Sequence, residues 1–107
     1  MKAKPYKQSM SKYRNKKTVV DHIRFDSQKE ARYYTQLKML RENGDVLMFL
    51  RQVPFDLPGG VKYRVDFQVF YSDGTVKHID VKGMRTKEYL IKKKIVEAEY
   101  PVTIVEV

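Results

Sequence analysis

A chain of 107 residues with 22 Lys and Arg against 13 Asp and Glu, net charge +9, has room for one hydrophobic core and favours an anionic partner. The absence of cysteine excludes disulfides and thiolate metal sites and fits a reducing compartment. No apolar run reaches membrane length and no hydrophobic segment follows the basic start, so neither a membrane span nor a signal peptide is expected; the expected location is the cytoplasm.

The positive charge is concentrated at the start. Seven basic residues, Lys2, Lys4, Lys7, Lys12, Arg14, Lys16 and Lys17, precede Asp21, the first acidic residue; the remaining 15 basic against 13 acidic residues leave +2. Tyr6 and Tyr13 interleave with these lysines, a mixture that neutralises phosphates and stacks on unpaired bases. Residues 1–18 therefore read as a basic, flexible arm that contacts DNA through Lys12, Arg14, Lys16 and Lys17, and residues 19–107 as a single domain.

Residues 19–25 read as an extended lead-in. Asp26-Ser27 then opens a helix: Ser27 with Glu30 three residues on fits a capping box, and Ala31, Tyr34, Leu37 and Leu40 keep a helical period up to Asn43-Gly44. Residues 46–50 are almost continuously apolar and read as the first core strand, extended through a segment whose Pro54 suits an edge or bend. Gln52 is expected to face solvent. After the turn at Pro58-Gly59-Gly60, residues 61–71 alternate, with Val61, Tyr63, Val65, Phe67, Val69 and Tyr71 on one side and Lys62, Arg64, Asp66 and Gln68 on the other, the period-2 pattern of a strand with one buried face.

Ser72-Asp73-Gly74-Thr75 is hairpin chemistry, and a second strand over residues 76–82 ends in Asp80-Val81-Lys82-Gly83. Asp80 and Lys82 are two apart and share a face. His78 shares it too and reads as an ordinary surface group. If the hairpin pairs in register, Asp66 crosses to the same face, and two carboxylates and an ammonium share one patch. Thr86 caps a last helix to about Glu99, stopped by Pro101, and residues 102–107 form a closing strand. The order helix, three strands, helix, strand predicts an α/β or α+β fold, a mixed sheet flanked by helices. Met39, Met48, Phe49, Val65, Phe67, Val69, Ile79 and Val81 are the expected core.

The patch has the composition that metal-assisted phosphodiester hydrolysis requires. Two carboxylates and the Val81 carbonyl are hard oxygen ligands suited to Mg²⁺, with Mn²⁺ as a substitute. Lys82 beside them can orient a water and offset transition-state charge. Gly83 lets a phosphate backbone approach closely. Gln68, on the Asp66 face, and Arg85, Lys87 and Lys92, at the start of the last helix, are candidates for contacts to DNA.

Glu30, Asp66 and Asp80-Val81-Lys82, in this order of elements, resemble the PD-(D/E)XK nucleases, the restriction-endonuclease-like superfamily that includes Holliday-junction resolvases, and in particular its small phage-encoded members. The resemblance covers roughly residues 20–107. Val65 stands where the motif's name has proline, and the glutamine-plus-tyrosine helix signature of the RecB-like branch is absent after Gly83. The resemblance implies a restriction-endonuclease-like core and a Mg²⁺-dependent DNA endonuclease of phage DNA metabolism, selective for branched or junction DNA and leaving 5′-phosphates. In it Asp66 and Asp80 hold the metal, Lys82 places the nucleophilic water, and Glu30 is an outer ligand; the local reading of Glu30 as a helix cap stands beside that. It further implies a homodimer working in the host's cytoplasm, without membrane or small-molecule cofactor. A sequence-nonspecific duplex nuclease or nickase carries the same motifs, and a non-catalytic DNA-binding module or packaging accessory is the other alternative.

Overall fold

The computed structural model describes residues 17–82 and 84–107. The described residues divide into two compact units, with the boundary between Gln36 and Leu37.

In the first unit, β1 (Thr18–Val20) pairs antiparallel with β2 (Ile23–Phe25), Thr18 opposite Phe25 and Val20 opposite Ile23. The expected lead-in is thus a hairpin. Its two-residue turn, Asp21 and His22, has φ of 53° and 65°, the pair of left-handed residues whose twist suits tight hairpins, and this turn is why Val20 and His22 break the apolar alternation. The Tyr34 hydroxyl donates to Asp21 Oδ2 at 2.8 Å, and the Phe25 and Tyr34 rings meet at 5.1 Å, fastening the hairpin to α1 (Gln28–Glu42). That helix starts as expected: Ser27 Oγ accepts the Glu30 N–H at 3.0 Å, satisfying one of the orphan donors of the first turn.

In the second unit α1 ends in a Schellman turn: Gly44, at φ 87°, donates to the Arg41 carbonyl at 3.1 Å while Asp45 donates to the Leu40 carbonyl at 2.9 Å. Four strands follow in the order β3 (Val46–Leu57), β4 (Val61–Tyr71), β5 (Val76–Asp80), β6 (Ile104–Glu106). β4 pairs antiparallel with both β3 and β5; β6 runs parallel to β5, with α2 (Lys87–Glu99) in the connection. This mixed sheet with two helices is an α+β architecture. At the β4–β5 turn Gly74 takes φ 94°, and Asp73 Oδ1 accepts from the Thr75 N–H at 2.9 Å and hydroxyl at 2.7 Å. Asp-Gly is used there as the sequence predicts.

Tyr63, Val65, Phe67 and Val69 are buried while Lys62 and Arg64 are exposed and Asp66 and Gln68 half-buried, so the alternation of β4 is realised. Tyr63 and Val65 join Leu57, Tyr89, Val96 and Ile104 in one core cluster, which is what α2 packs on. Thr86 caps α2, its Oγ accepting the Tyr89 N–H at 3.1 Å. β3 is an edge strand rather than a core strand: Leu47, Met48 and Leu50 are exposed. Met48 at 43% exposure and Met39 at 58% do not belong to the core, and Phe49 and Val81 are only half-buried. As an edge strand in a bulged register near Val46 and Met48, β3 has a neighbouring strand on one flank only among the described residues, so its apolar run is not covered as a central strand's would be. No helix among the described residues is long and apolar enough to cross a membrane.

Candidate metal and phosphate site

Phe67 stands opposite Ile79 in the β4–β5 ladder. One step further along each antiparallel strand, Asp66 therefore comes opposite Asp80 on a shared face. The two residues are laced together. The Asp66 N–H donates to Asp80 Oδ1 at 3.1 Å, and the Val81 N–H donates to Asp66 Oδ2 at 2.8 Å. From β3, Gln52 Nε2 donates to Asp66 Oδ1 at 3.2 Å, so Gln52 faces the site rather than solvent. Gln52 adopts φ 52° inside its strand, a strained backbone for a residue with a side chain.

Asp80 is 1% exposed, and its Oδ2 is buried with no hydrogen-bond partner among the described residues. Burial raises its pKa above the ordinary 3.8, against the opposing pull of Lys82, the Asp66 N–H and Lys93. Lys82 is held at two points. Its N–H donates to the Val107 carbonyl at 3.2 Å, while the Val107 N–H donates to the Asp80 carbonyl at 3.0 Å; its Nζ lies 4.1 Å from the centroid of the Tyr89 ring, a cation–π distance.

Glu106 stands beside Asp80 in the parallel β5–β6 register. It gathers Arg85 Nε at 3.3 Å, Lys93 Nζ at 3.8 Å and the Tyr89 hydroxyl, which donates at 2.7 Å. The hydrogen bond from Tyr89, then Arg85, Lys93 and Lys82, lower the Glu106 pKa against partial desolvation. Burial, with the bond to Glu106 and the charge of Asp80, pushes the Tyr89 hydroxyl pKa up.

The structure thus brings Asp66, Asp80, Val81 and Lys82 together. Glu30 belongs to the first unit, where it is buried and its N–H is capped by Ser27. Gln68 spends its amide on His78, Nε2 to Nε2 at 3.0 Å. His78 is not a surface group: it is buried, its ring lies 5.7 Å from that of Phe55, and burial lowers its pKa below the ordinary 6.5. Arg85 pairs with Glu106, and Lys92 with Glu88 at 3.4 Å; Lys87 is exposed. Lys17 pairs with Asp26 at 3.8 Å. Lys12, Arg14, Lys16 and Gly83 lie outside the described residues.

Three residues escape a reading of the sequence. Gln52 is visible only through the β3–β4 register; Glu106 needs the parallel pairing of β6; and Tyr89 carries an ordinary core signature in its helix.

Among the described residues no three or more His, Cys, Asp or Glu side chains group to hold a metal. The donor set is two carboxylates and the Val81 carbonyl. Mg²⁺ takes one or two carboxylates and keeps several waters, and the unpartnered Asp80 Oδ2 is an oxygen of the kind it binds. Asp66 uses both oxygens as acceptors, yet each carboxylate oxygen offers a second lone pair. The residues fit the ion.

Residues 10–106 match the family described as "Protein of unknown function (DUF1064)". The chain belongs to that family. The DUF1064 match takes in both carboxylates, Lys82, Glu106 and Glu30. No curated protein and no solved structure matches the chain.

Proposed function

We propose that this protein is a Mg²⁺-dependent DNA endonuclease of the PD-(D/E)XK kind, with Asp66, Asp80 and Lys82 at its centre. One observation carries the reading: a carboxylate buried to 1% exposure, opposite a second carboxylate, with one oxygen unpartnered among the described residues. A fold that hides such a group bears a desolvation cost, which a bound cation removes. Mg²⁺, when bound, supplies charge neutralisation at the scissile phosphate and acidifies a water.

The chain's own residues do the rest. Asp66 and Asp80 hold the ion, their orientation set by the Asp66 N–H, the Val81 N–H and Gln52. Lys82, poised against the Tyr89 ring, orients the attacking water and offsets negative charge on the phosphoryl oxygens of the pentacoordinate transition state. Glu106 holds Arg85 and Lys93 at the rim, within reach of flanking phosphates. One domain carries one such site, so cutting both strands calls for a homodimer. The substrate is branched or junction DNA in phage DNA metabolism, and the absence of cysteine fits a reducing cytoplasm.

The test is cleavage of a labelled four-way junction and a matched linear duplex, in Mg²⁺ or EDTA, by the unaltered protein and Lys82→Ala. Mg²⁺-dependent cutting that the variant loses supports the reading, and the preferred DNA decides between junction and duplex. Binding of both DNAs without cutting of either contradicts it and leaves a DNA-binding module.

A further inference from the structure

A cleft shares Lys82 with the carboxylate patch. About 250 Å³ in volume, it is walled by β4 and the start of α2, through Lys62, Tyr63, Arg64, Lys82, Thr86 and Lys92. Four of these six carry positive charge. Glu88 also lines the cleft but is paired with Lys92, and Lys62 is paired with Asp56, while Arg64 makes no ion pair among the described residues. The cleft therefore keeps a positive excess, and it meets the opening turn of a 13-residue helix, whose dipole and free N–H groups favour an anion.

Charge and a helix end do not by themselves define a ligand; Tyr63 adds the deciding observation. It is 95% buried, and its hydroxyl has no hydrogen-bond partner among the described residues, although its ring is packed near those of Phe55 and Tyr89. Buried hydroxyls are nearly always satisfied. A phenylalanine would pack there equally well, so an unsatisfied phenol in the wall of a basic cleft marks an acceptor that arrives with the ligand. Thr86 can contribute in the same direction, since its Oγ accepts from the Tyr89 N–H and leaves its own proton to donate.

We propose that this cleft binds a phosphate group, a phosphodiester of the nucleic-acid strand next to the one presented to Asp66 and Asp80, through Arg64, Lys62, Lys92 and the Tyr63 hydroxyl. Lys82 belongs to both places, which sets the two phosphates on one continuous strand. The substrate class follows from the proposed nuclease reading, on which this assignment rests. An open basic cleft lined by long side chains suits a backbone phosphate of a single or splayed strand and offers no shape for a particular base.

The experiment is done in EDTA, without turnover, so that it stands apart from cleavage. Thermal melting is recorded in inorganic phosphate and in sodium chloride of matched ionic strength, and affinity for a short oligothymidylate is measured across salt concentrations. Three proteins are compared: unaltered, Tyr63→Phe, and Lys62→Gln/Arg64→Gln. The expected result is a phosphate-specific rise in Tm that the double variant loses, together with a fall of about 1 in its slope of log affinity against log salt. Tyr63→Phe is expected to melt higher than the unaltered protein in chloride, yet to show a smaller rise in phosphate. Equal Tm in phosphate and chloride, or a Tyr63→Phe variant with an undiminished rise, overturns the site. A rise with inorganic phosphate but no oligonucleotide binding overturns the assignment to a nucleic-acid backbone. Mg²⁺-dependent cleavage by Asp80→Asn, altered at a residue that does not line this cleft, bears on the nuclease reading alone, so the two claims fail separately.

Discussion

Replacing Asp80 with asparagine should stabilise the metal-free protein at neutral pH. The substitution keeps the oxygen that accepts from the Asp66 N–H and exchanges a buried, charged oxygen without a partner among the described residues for a neutral amide. A buried unsatisfied polar group costs about 1–3 kcal/mol, more when charged. The amide is itself incompletely paired, so a net gain of about 1 kcal/mol is expected, and in a domain of this size that raises Tm by about 4–8 °C. The sign depends on pH. Because burial raises the Asp80 pKa above 3.8, its contribution to stability is fully present below pH 3.8 and is lost as pH rises through the folded-state value. The advantage of the variant should therefore be small at pH 3.5 and grow towards pH 8. Mg²⁺ should reverse the order: at 100 times its dissociation constant the ion stabilises the unaltered protein by about 2.7 kcal/mol, and the variant by little. Melting curves in EDTA and in Mg²⁺ at several pH values provide the assay. An Asp80→Asn variant that melts lower than the unaltered protein in EDTA at pH 7.5, or a difference that does not change with pH, would refute the reasoning.

Other positions yield further expectations. At Gln52, whose φ is 52°, glycine should be more stable than alanine by about 1 kcal/mol, the reverse of the usual strand order; urea denaturation of Gln52→Gly and Gln52→Ala measures it, and alanine ahead of glycine would remove the argument from strain. The His78 imidazole, its pKa lowered by burial, should titrate below 6.5 by NMR, with its stability contribution present above pH 6.5 and lost as pH falls through the lowered value; a midpoint above 6.5 is the contrary result. Glu106→Gln frees Arg85 and Lys93 from an ion-pairing carboxylate and should tighten DNA binding while steepening its salt dependence, read by fluorescence anisotropy; unchanged affinity and slope would place those two cations away from DNA.

Much of this site is legible in the amino-acid order because a hairpin is a local device. The alternation of residues 61–71, the Asp73-Gly74 turn and the two-residue step from Asp80 to Lys82 are enough to bring Asp66 opposite Asp80, and the side chains then follow from the pleat. The Thr86 cap and the Gly44 stop are local in the same sense. What escapes depends on distant pairing. Residues 46–50 have the apolar run of a central strand, and only the strand order β3-β4-β5-β6 reveals an edge. Glu106 meets Asp80 through a parallel crossover whose register no short pattern encodes. His78 and Gln52 were expected at the surface because a strand face is polar or apolar only relative to what covers it. The hairpin at Asp21-His22 lacks the Asn-Gly or Asp-Gly pair that ordinarily announces such a turn.

The central claim is that Asp80 holds the ion that hydrolyses DNA, and single-turnover cleavage of labelled DNA in Mg²⁺ by the unaltered protein and by Asp80→Asn tests it most directly. Melting curves on the same samples establish that the variant is folded. The account predicts a folded variant that cuts at least about 100-fold more slowly, since several kcal/mol of charge stabilisation is withdrawn and each 1.4 kcal/mol or so is tenfold in rate. A folded Asp80→Asn protein that cuts as fast as the unaltered one would contradict it.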